Sequence, residues 1–233
     1  SIFILTANRN LVSLAPSGSA VWTTTLADSS VCAPVAGLMG RPGSGESYRV
    51  NVFGASGEIF SLRTADGSMV DGWPVKTDGI CRAGGALGDV DDDGLNELVV
   101  PVDFPVDDYS ARNKIYVLDY NGSSAAGMPI MVGSPRQLED ERYLSQPTLA
   151  DVDGDGTPEI LVTTAERLVL AFRGDGGRRP VARYITGGYS LTPPVAADID
   201  SDGDLELICS DGEGYVYAYA TGGSALRNAR SGM

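Results

Sequence analysis

The run Gly85-Ala-Leu-Gly-Asp-Val-Asp-Asp-Asp-Gly-Leu-Asn-Glu-Leu-Val-Val100 recurs as Pro147-Thr-Leu-Ala-Asp-Val-Asp-Gly-Asp-Gly-Thr-Pro-Glu-Ile-Leu-Val162. It recurs again as Pro194-Val-Ala-Ala-Asp-Ile-Asp-Ser-Asp-Gly-Asp-Leu-Glu-Leu-Ile-Cys209. The first aspartates, Asp89, Asp151 and Asp198, are 62 and 47 residues apart, the spacing of a structural repeat with insertions in its longer copy. After each acidic loop comes an apolar run. A second β-like run follows at residues 114–118, 168–172 and 215–219, and then a turn signal: Asn121-Gly, Gly174-Asp-Gly-Gly or Thr221-Gly-Gly. These turns are expected to lead into a last, weaker strand.

A degraded fourth copy lies upstream. Pro34-Val-Ala-Gly precedes β-like runs at 48–53 and 58–62, then Ala65-Asp-Gly and Gly72-Trp-Pro. Ahead of it, residues 2–5, 11–14 and 20–25 read as the later three strands of one more unit. A four-stranded antiparallel unit cannot bury both faces alone, and stacking copies around an axis does bury them. The expected fold is therefore all-β: a β-propeller of four-stranded antiparallel blades, forming one domain over 1–233. The expected units are a partial blade at 1–31 and blades at 32–80, 81–143, 144–189 and 190–233. Five blades closing a ring is the first reading, and a section of a six- to eight-bladed propeller is the alternative.

Composition agrees with this class. Hydrophobic residues make up 42% of the 233 and charged residues 21%, enough apolar surface for a core, and the 30 glycines and 13 prolines supply turns. With 17 basic against 31 acidic residues the formal charge is −14, which disfavours nucleic acid as a partner because phosphate binding needs clustered Lys and Arg. No apolar run reaches the roughly 18 residues of a spanning helix, so the chain is expected not to span a membrane in that way. Its opening at Ser1 without Met reads as processing or as excision from a longer protein. Histidine is absent, which removes the commonest general base and the usual triads. Cys32, Cys81 and Cys209 fit no zinc spacing. Cys32 and Cys81 precede the first strands of neighbouring units, so a bridge between them and free buried thiols are both open.

The acidic loops carry the chemistry. Carboxylates stand at positions 1, 3, 5 and 9, with Gly at 6: Asp89, Asp91, Asp93, Glu97; Asp151, Asp153, Asp155, Glu159; Asp198, Asp200, Asp202, Glu206. Four like charges within nine residues repel unless a cation neutralises them, and a hard divalent ion seeking six to eight oxygens does so. Position 7 (Leu95, Thr157, Asp204) can offer its carbonyl whatever its side chain. Magnesium would demand stricter geometry and zinc would prefer nitrogen or sulfur, so calcium is expected, about three ions, structural in role. Asp and Gly also favour metal-free acidic turns, but three copies in one phase favour a metal. The last acid at position 9 runs straight into an apolar strand, which separates these loops from the helical EF-hand with its acid at 12.

These residues resemble the FG-GAP and VCBS-type repeats of the integrin α-subunit propeller and its bacterial relatives. The resemblance covers the chain from about Ala33 onward and includes Asp66-Gly with Gly72-Trp-Pro-Val, similar to an outer-strand motif of bacterial members. It implies a propeller with calcium in the loops after the innermost strands, and a secreted or cell-surface setting. The second unit departs from it, with Leu38, Gly40 and Pro42 where the first three ligands would stand, so no metal is assigned there. Family members include adhesion modules, carbohydrate-binding domains and polysaccharide lyases.

Two function classes follow. One is an adhesion or recognition module for a protein or glycan ligand. The other is a polysaccharide-active enzyme, such as a calcium-dependent lyase, or its carbohydrate-binding domain. The expected recognition surfaces are the insertions at 101–113 and 134–146, with Phe104, Tyr109, Arg136, Arg142 and Tyr143 as ligand-binding residues. Tyr215, Tyr217 and Tyr219 share one strand face and suit either blade packing or a platform for sugar rings. Trp22 and Trp73 read as packing residues.

Overall fold

In the computed structural model, residues 1–40, 48–103, 113–125, 127–132, 144–177, 180–190 and 192–224 are described. They form eighteen strands and, among the described residues, no helix. Five antiparallel sheets follow in chain order. Sheet 1 holds β1 (Ile2–Leu5), β2 (Asn10–Leu14) and β3 (Ala20–Thr25). Sheet 2 holds β4 (Val35–Leu38), β5 (Tyr48–Phe53), β6 (Glu58–Arg63) and β7 (Val75–Lys76). Sheet 3 holds β8 (Ala86–Gly88), β9 (Glu97–Val102), β10 (Asn113–Leu118) and β11 (Ile130–Val132). Sheet 4 holds β12 (Thr148–Ala150), β13 (Glu159–Thr164), β14 (Leu168–Phe172) and β15 (Ala182–Ile185). Sheet 5 holds β16 (Val195–Ala197), β17 (Asp204–Ser210) and β18 (Val216–Ser224).

The short first strands of sheets 2 to 5 touch one another in sequence, β4 with β8, β8 with β12 and β12 with β16, so they line the inner edge of the stack. Second strands such as Glu97–Val102 and Glu159–Thr164 are buried along their whole length, because each lies between two neighbouring sheets. That is why they read as continuous apolar runs rather than alternating ones. Four core clusters join the sheets pairwise. Leu11 and Leu26 meet Val50, Val52 and Phe60 between sheets 1 and 2. Phe53 and Trp73 meet Leu98 and Val100 between sheets 2 and 3. Val99 and Ile115 meet Ile160 and Phe172 between sheets 3 and 4. Leu161 and Val169 meet Leu205 and Leu207 between sheets 4 and 5. Among the described residues no cluster joins sheet 5 to sheet 1.

The Gly72-Trp-Pro motif serves as a seam between sheets. A Cβ at Gly72 would run into the Asn121 carbonyl of the next sheet's hairpin turn, and the Trp73 indole donates to the Tyr120 carbonyl at 3.4 Å. Gly127 of sheet 3 repeats this relation against the Asp175-Gly176 turn of sheet 4.

Two expectations are corrected, and one open alternative is decided. Thr221-Gly-Gly is no hairpin turn but part of β18, where Gly222 N–H donates to the Val152 carbonyl at 2.8 Å. A Cβ on Gly223 would strike the Asp151 carbonyl, so the glycines let the strand run along the neighbouring loop. The fifth unit consequently shows three strands, not four, among the described residues. Cys32 and Cys81 are unbridged: all three cysteines are free thiols, and the Cys32 thiol donates to the Cys81 carbonyl at 3.6 Å.

Candidate metal centre

Each acidic loop joins the inner strand of a sheet to its second strand: β8 to β9, β12 to β13 and β16 to β17. One hydrogen-bond frame is built three times. The position-9 glutamate reaches back to the N–H of position 2: Glu97 Oε2 accepts from Val90 at 3.0 Å, Glu159 from Val152 at 2.9 Å, and Glu206 from Ile199 at 3.0 Å. The position-1 aspartate accepts from the position-6 glycine: Asp89 Oδ2 from Gly94 at 2.9 Å, Asp151 from Gly156 at 2.9 Å, and Asp198 from Gly203 at 3.1 Å. Position 6 is left-handed, with φ of 86°, 102° and 96°. At Gly94 and Gly203 no atom beyond the adjoining residues lies within 4 Å of where a Cβ would stand, so glycine is required there for conformation and not for space.

The frame turns three carboxylates of each loop toward a common point. Oxygens of Asp89, Asp91 and Glu97, of Asp151, Asp153 and Glu159, and of Asp198, Asp200 and Glu206 each lie within 4.8 Å of one another. The position-5 aspartates stand apart from these triads. Asp93, Asp155 and Asp202 each use Oδ1 to accept from the N–H of position 7, at 2.8, 2.9 and 2.9 Å, from Leu95, Thr157 and Asp204.

Electrostatics show what the loops lack. Burial pushes the Glu97 carboxyl up to about 8, against the lowering effect of the Val90 N–H, and Asp91, Asp89 and Asp93 push the same way. Glu159 is pushed up to about 7 by burial, again with its neighbouring aspartates adding. Asp91 is raised by burial and then by Asp93. Asp89 Oδ1 is buried and accepts no hydrogen bond. A buried carboxylate oxygen without a donor costs free energy, and a divalent cation would satisfy it while removing the repulsion. The three clusters could therefore hold a metal ion, and their all-oxygen donor set is compatible with calcium, which Asp89, Asp91 and Glu97 and their counterparts would ligate.

Two residues near these loops were not legible as site residues. Arg173 Nη2 lies 2.7 Å from Asp153 Oδ2 and 2.9 Å from Asp155 Oδ2 in the second loop. Asp119 joins Asp91, Asp93 and Glu97 around an open cavity of about 210 Å³ beside the first. The signal was strand register: Leu98 pairs with Leu118 and Ile160 with Phe172, so the following residues, Asp119 and Arg173, face Glu97 and Glu159.

The expected ligand-binding residues Phe104, Tyr109, Arg136, Arg142 and Tyr143 lie outside the described residues. Tyr217 and Tyr219 pack against sheet 4. Their rings stack at 6.2 Å, the Tyr217 hydroxyl donates to Asp211 at 2.7 Å, and the Tyr219 hydroxyl donates to the Ile185 carbonyl. Tyr215 alone of the three is exposed. Trp22 lies over the Asp66-Gly67 turn and donates to the Thr64 carbonyl at 3.0 Å, and Trp73 is buried.

Stacked four-stranded antiparallel sheets with an acidic loop after the inner strand define a propeller-like repeat protein. The FG-GAP-like repeat family matches residues 89–162 and 151–209, more than half of the chain, and the protein belongs to that family. Solved structures share the fold. BBS1N, crystallised in complex with ARL6DN, superposes with a TM-score of 0.63 at 12% identity over 94% of this chain and 60% of its own. BamB from Moraxella catarrhalis gives 0.58 at 22% identity over 95% and 59%. The V. cholerae biofilm matrix protein Bap1 gives 0.51 at 18% identity over 82% and 31%. The chain thus spans about three fifths of the first two and under a third of Bap1. A search of curated sequences finds no match.

Proposed function

We propose that this chain is a secreted or cell-surface, calcium-stabilised propeller segment that acts as an adhesion or ligand-recognition module for a protein or glycan. The observation that carries the reading is the threefold repetition of one carboxylate triad in one hydrogen-bond frame, with a buried, unsatisfied Asp89 oxygen in the first copy. The proposed ligands are positions 1, 3, 5 and 9 with the carbonyl of position 7. Position 5 would have to shift an oxygen from its turn to the ion. The ions would tie each inner strand to its second strand and offset six of the formal negative charges.

The proposed blades are 1–31, 32–80, 81–143, 144–189 and 190–233. Because no core cluster spans sheets 5 and 1 among the described residues, a section of a larger ring is favoured over a closed five-bladed one. Recognition is assigned to loops on this scaffold, in keeping with the general placement of binding on loops. A biofilm matrix protein among the structural relatives supports an adhesive role. A polysaccharide-active enzyme is the second reading, and the residues expected to contact a ligand in either case lie outside the described ones.

Calorimetric titration of the chelated chain with calcium, paired with thermal unfolding, tests the reading. About three ions should bind. At a hundredfold excess over Kd each site stabilises by about 2.7 kcal/mol, so full loading should raise Tm by roughly 15 °C or more. No heat and no shift at millimolar calcium would remove the metal assignment.

A further inference from the structure

The three loops share a frame but differ at one place beside it. The residue opposite the last glutamate, one step beyond the pairing of the third strand, is Asp119 in sheet 3 and Arg173 in sheet 4. In sheet 5 it is Ala220, paired with Glu206 across a bulge. Asp119 adds a carboxylate to the wall of the first loop's cavity, beside Asp91, Asp93 and Glu97. Arg173 places a guanidinium against two carboxylates of the second loop, at 2.7 and 2.9 Å. Ala220 is exposed and brings no charge. The rest of each loop runs the same way: the first also holds Asp92 and the third Asp204, whereas Gly154 and Thr157 occupy those positions in the second.

A cation held by charge binds more tightly as negative charge gathers around it, and a fixed positive group in the same place opposes it. We infer that the three sites are graded, the first loop taking calcium most tightly, the third next and the second least. The second is an arginine-gated site, filled only when calcium displaces the Arg173 guanidinium from Asp153 and Asp155. This grading rests on the reading of the loops as calcium sites. It gives a protein that keeps two ions over a wide range of calcium and loads a third only at higher concentration, at the loop against which Gly222 and Gly223 of the next sheet are packed.

The test uses the full chain, chelated and titrated with calcium chloride by calorimetry, with Tm followed at each stoichiometry. Wild type should show two tighter ions and a third at least tenfold weaker. Arg173→Gln should tighten the weak class about tenfold and leave the others unchanged, and Arg173→Lys, which keeps the charge, should tighten it less. Asp119→Asn should weaken the tightest class several-fold. Ala220→Arg, at an exposed position, supplies the converse by turning the intermediate site into a second weak one. The inference is overturned if three ions bind and neither Arg173→Gln nor Ala220→Arg alters any class. The absence of binding by every variant would instead overturn the calcium reading itself, so the two failures are distinct.

Discussion

Asp103 is a buried acid at the end of β9, with its backbone bridged to Ile80 and its Oδ1 accepting from Leu144 N–H at 3.3 Å. Burial pushes its carboxyl up to about 7, only partly offset by that bond and by Arg82. A raised carboxylate pKa means that the unfolded chain loses its proton first. Stability from this group is present below about pH 4 and is lost as pH rises toward 7, on the order of 4 kcal/mol at most. Asp103→Asn can still accept from Leu144, so it should raise Tm at neutral pH and flatten its slope between pH 4 and 7. An unchanged slope would show that Asp103 is ionised in the fold at no cost. At this scale the sequence was partly legible. Positions 1, 3, 6 and 9 of the acidic loops announced themselves through spacing, because the backbone geometry that gathers them is local. Asp103, Asp119 and Arg173 did not, because each acquires its meaning from a residue brought opposite by sheet pairing.

Between elements, glycines mark where one sheet's turn meets its neighbour's loop. Gly174, in the turn after β14, sits so close to the Val90 carbonyl of the first acidic loop that a Cβ could not be accommodated without movement. Its backbone does not have positive φ, so Gly174→Ala would act through steric conflict alone. The expected cost is about 1–3 kcal/mol in urea unfolding, as for other overpacked sites. A neutral result would mean that the turn can back away from the loop without loosening the seam. Strand positions were readable from alternation and turn signals, and the ends of β1, β3, β5 and β14 coincide with the expected ones. Thr221-Gly-Gly misled for a physical reason. The same pair of glycines that would permit a tight turn also permits an extended strand to approach the carbonyls of Asp151 and Val152, and only the neighbouring sheet decides between them.

For the whole molecule, stability should be distributed as burial is. β5, β9 and β13 lie between two sheets and are almost wholly buried, whereas β1 and β3 expose alternate residues and β17 is buried on one face. Large apolar side chains stand exposed at both ends of the stack: Ile2, Ile4 and Val21 on sheet 1, Val195 and Val216 on sheet 5, and Tyr215 just before β18. A repeat stack gains its stability from nearest-neighbour interfaces, and among the described residues these end sheets have one such core interface each where the inner sheets have two. Local opening should therefore be cheapest at the ends. Amide hydrogen exchange on the calcium-loaded chain should show the slowest amides in β5, β9, β10 and β13, and exchange at least tenfold faster in β1, β3 and β18. The difference should widen after chelation in sheet 5, whose acidic loop joins β16 to β17. Equal protection in all five sheets at low protein concentration would mean that sheets 1 and 5 cover each other, and the closed five-bladed ring would then replace the open section. Equal protection only at high concentration would assign the covering to a second copy of the chain, since the exposed faces at the two ends are the surfaces on which copies would meet.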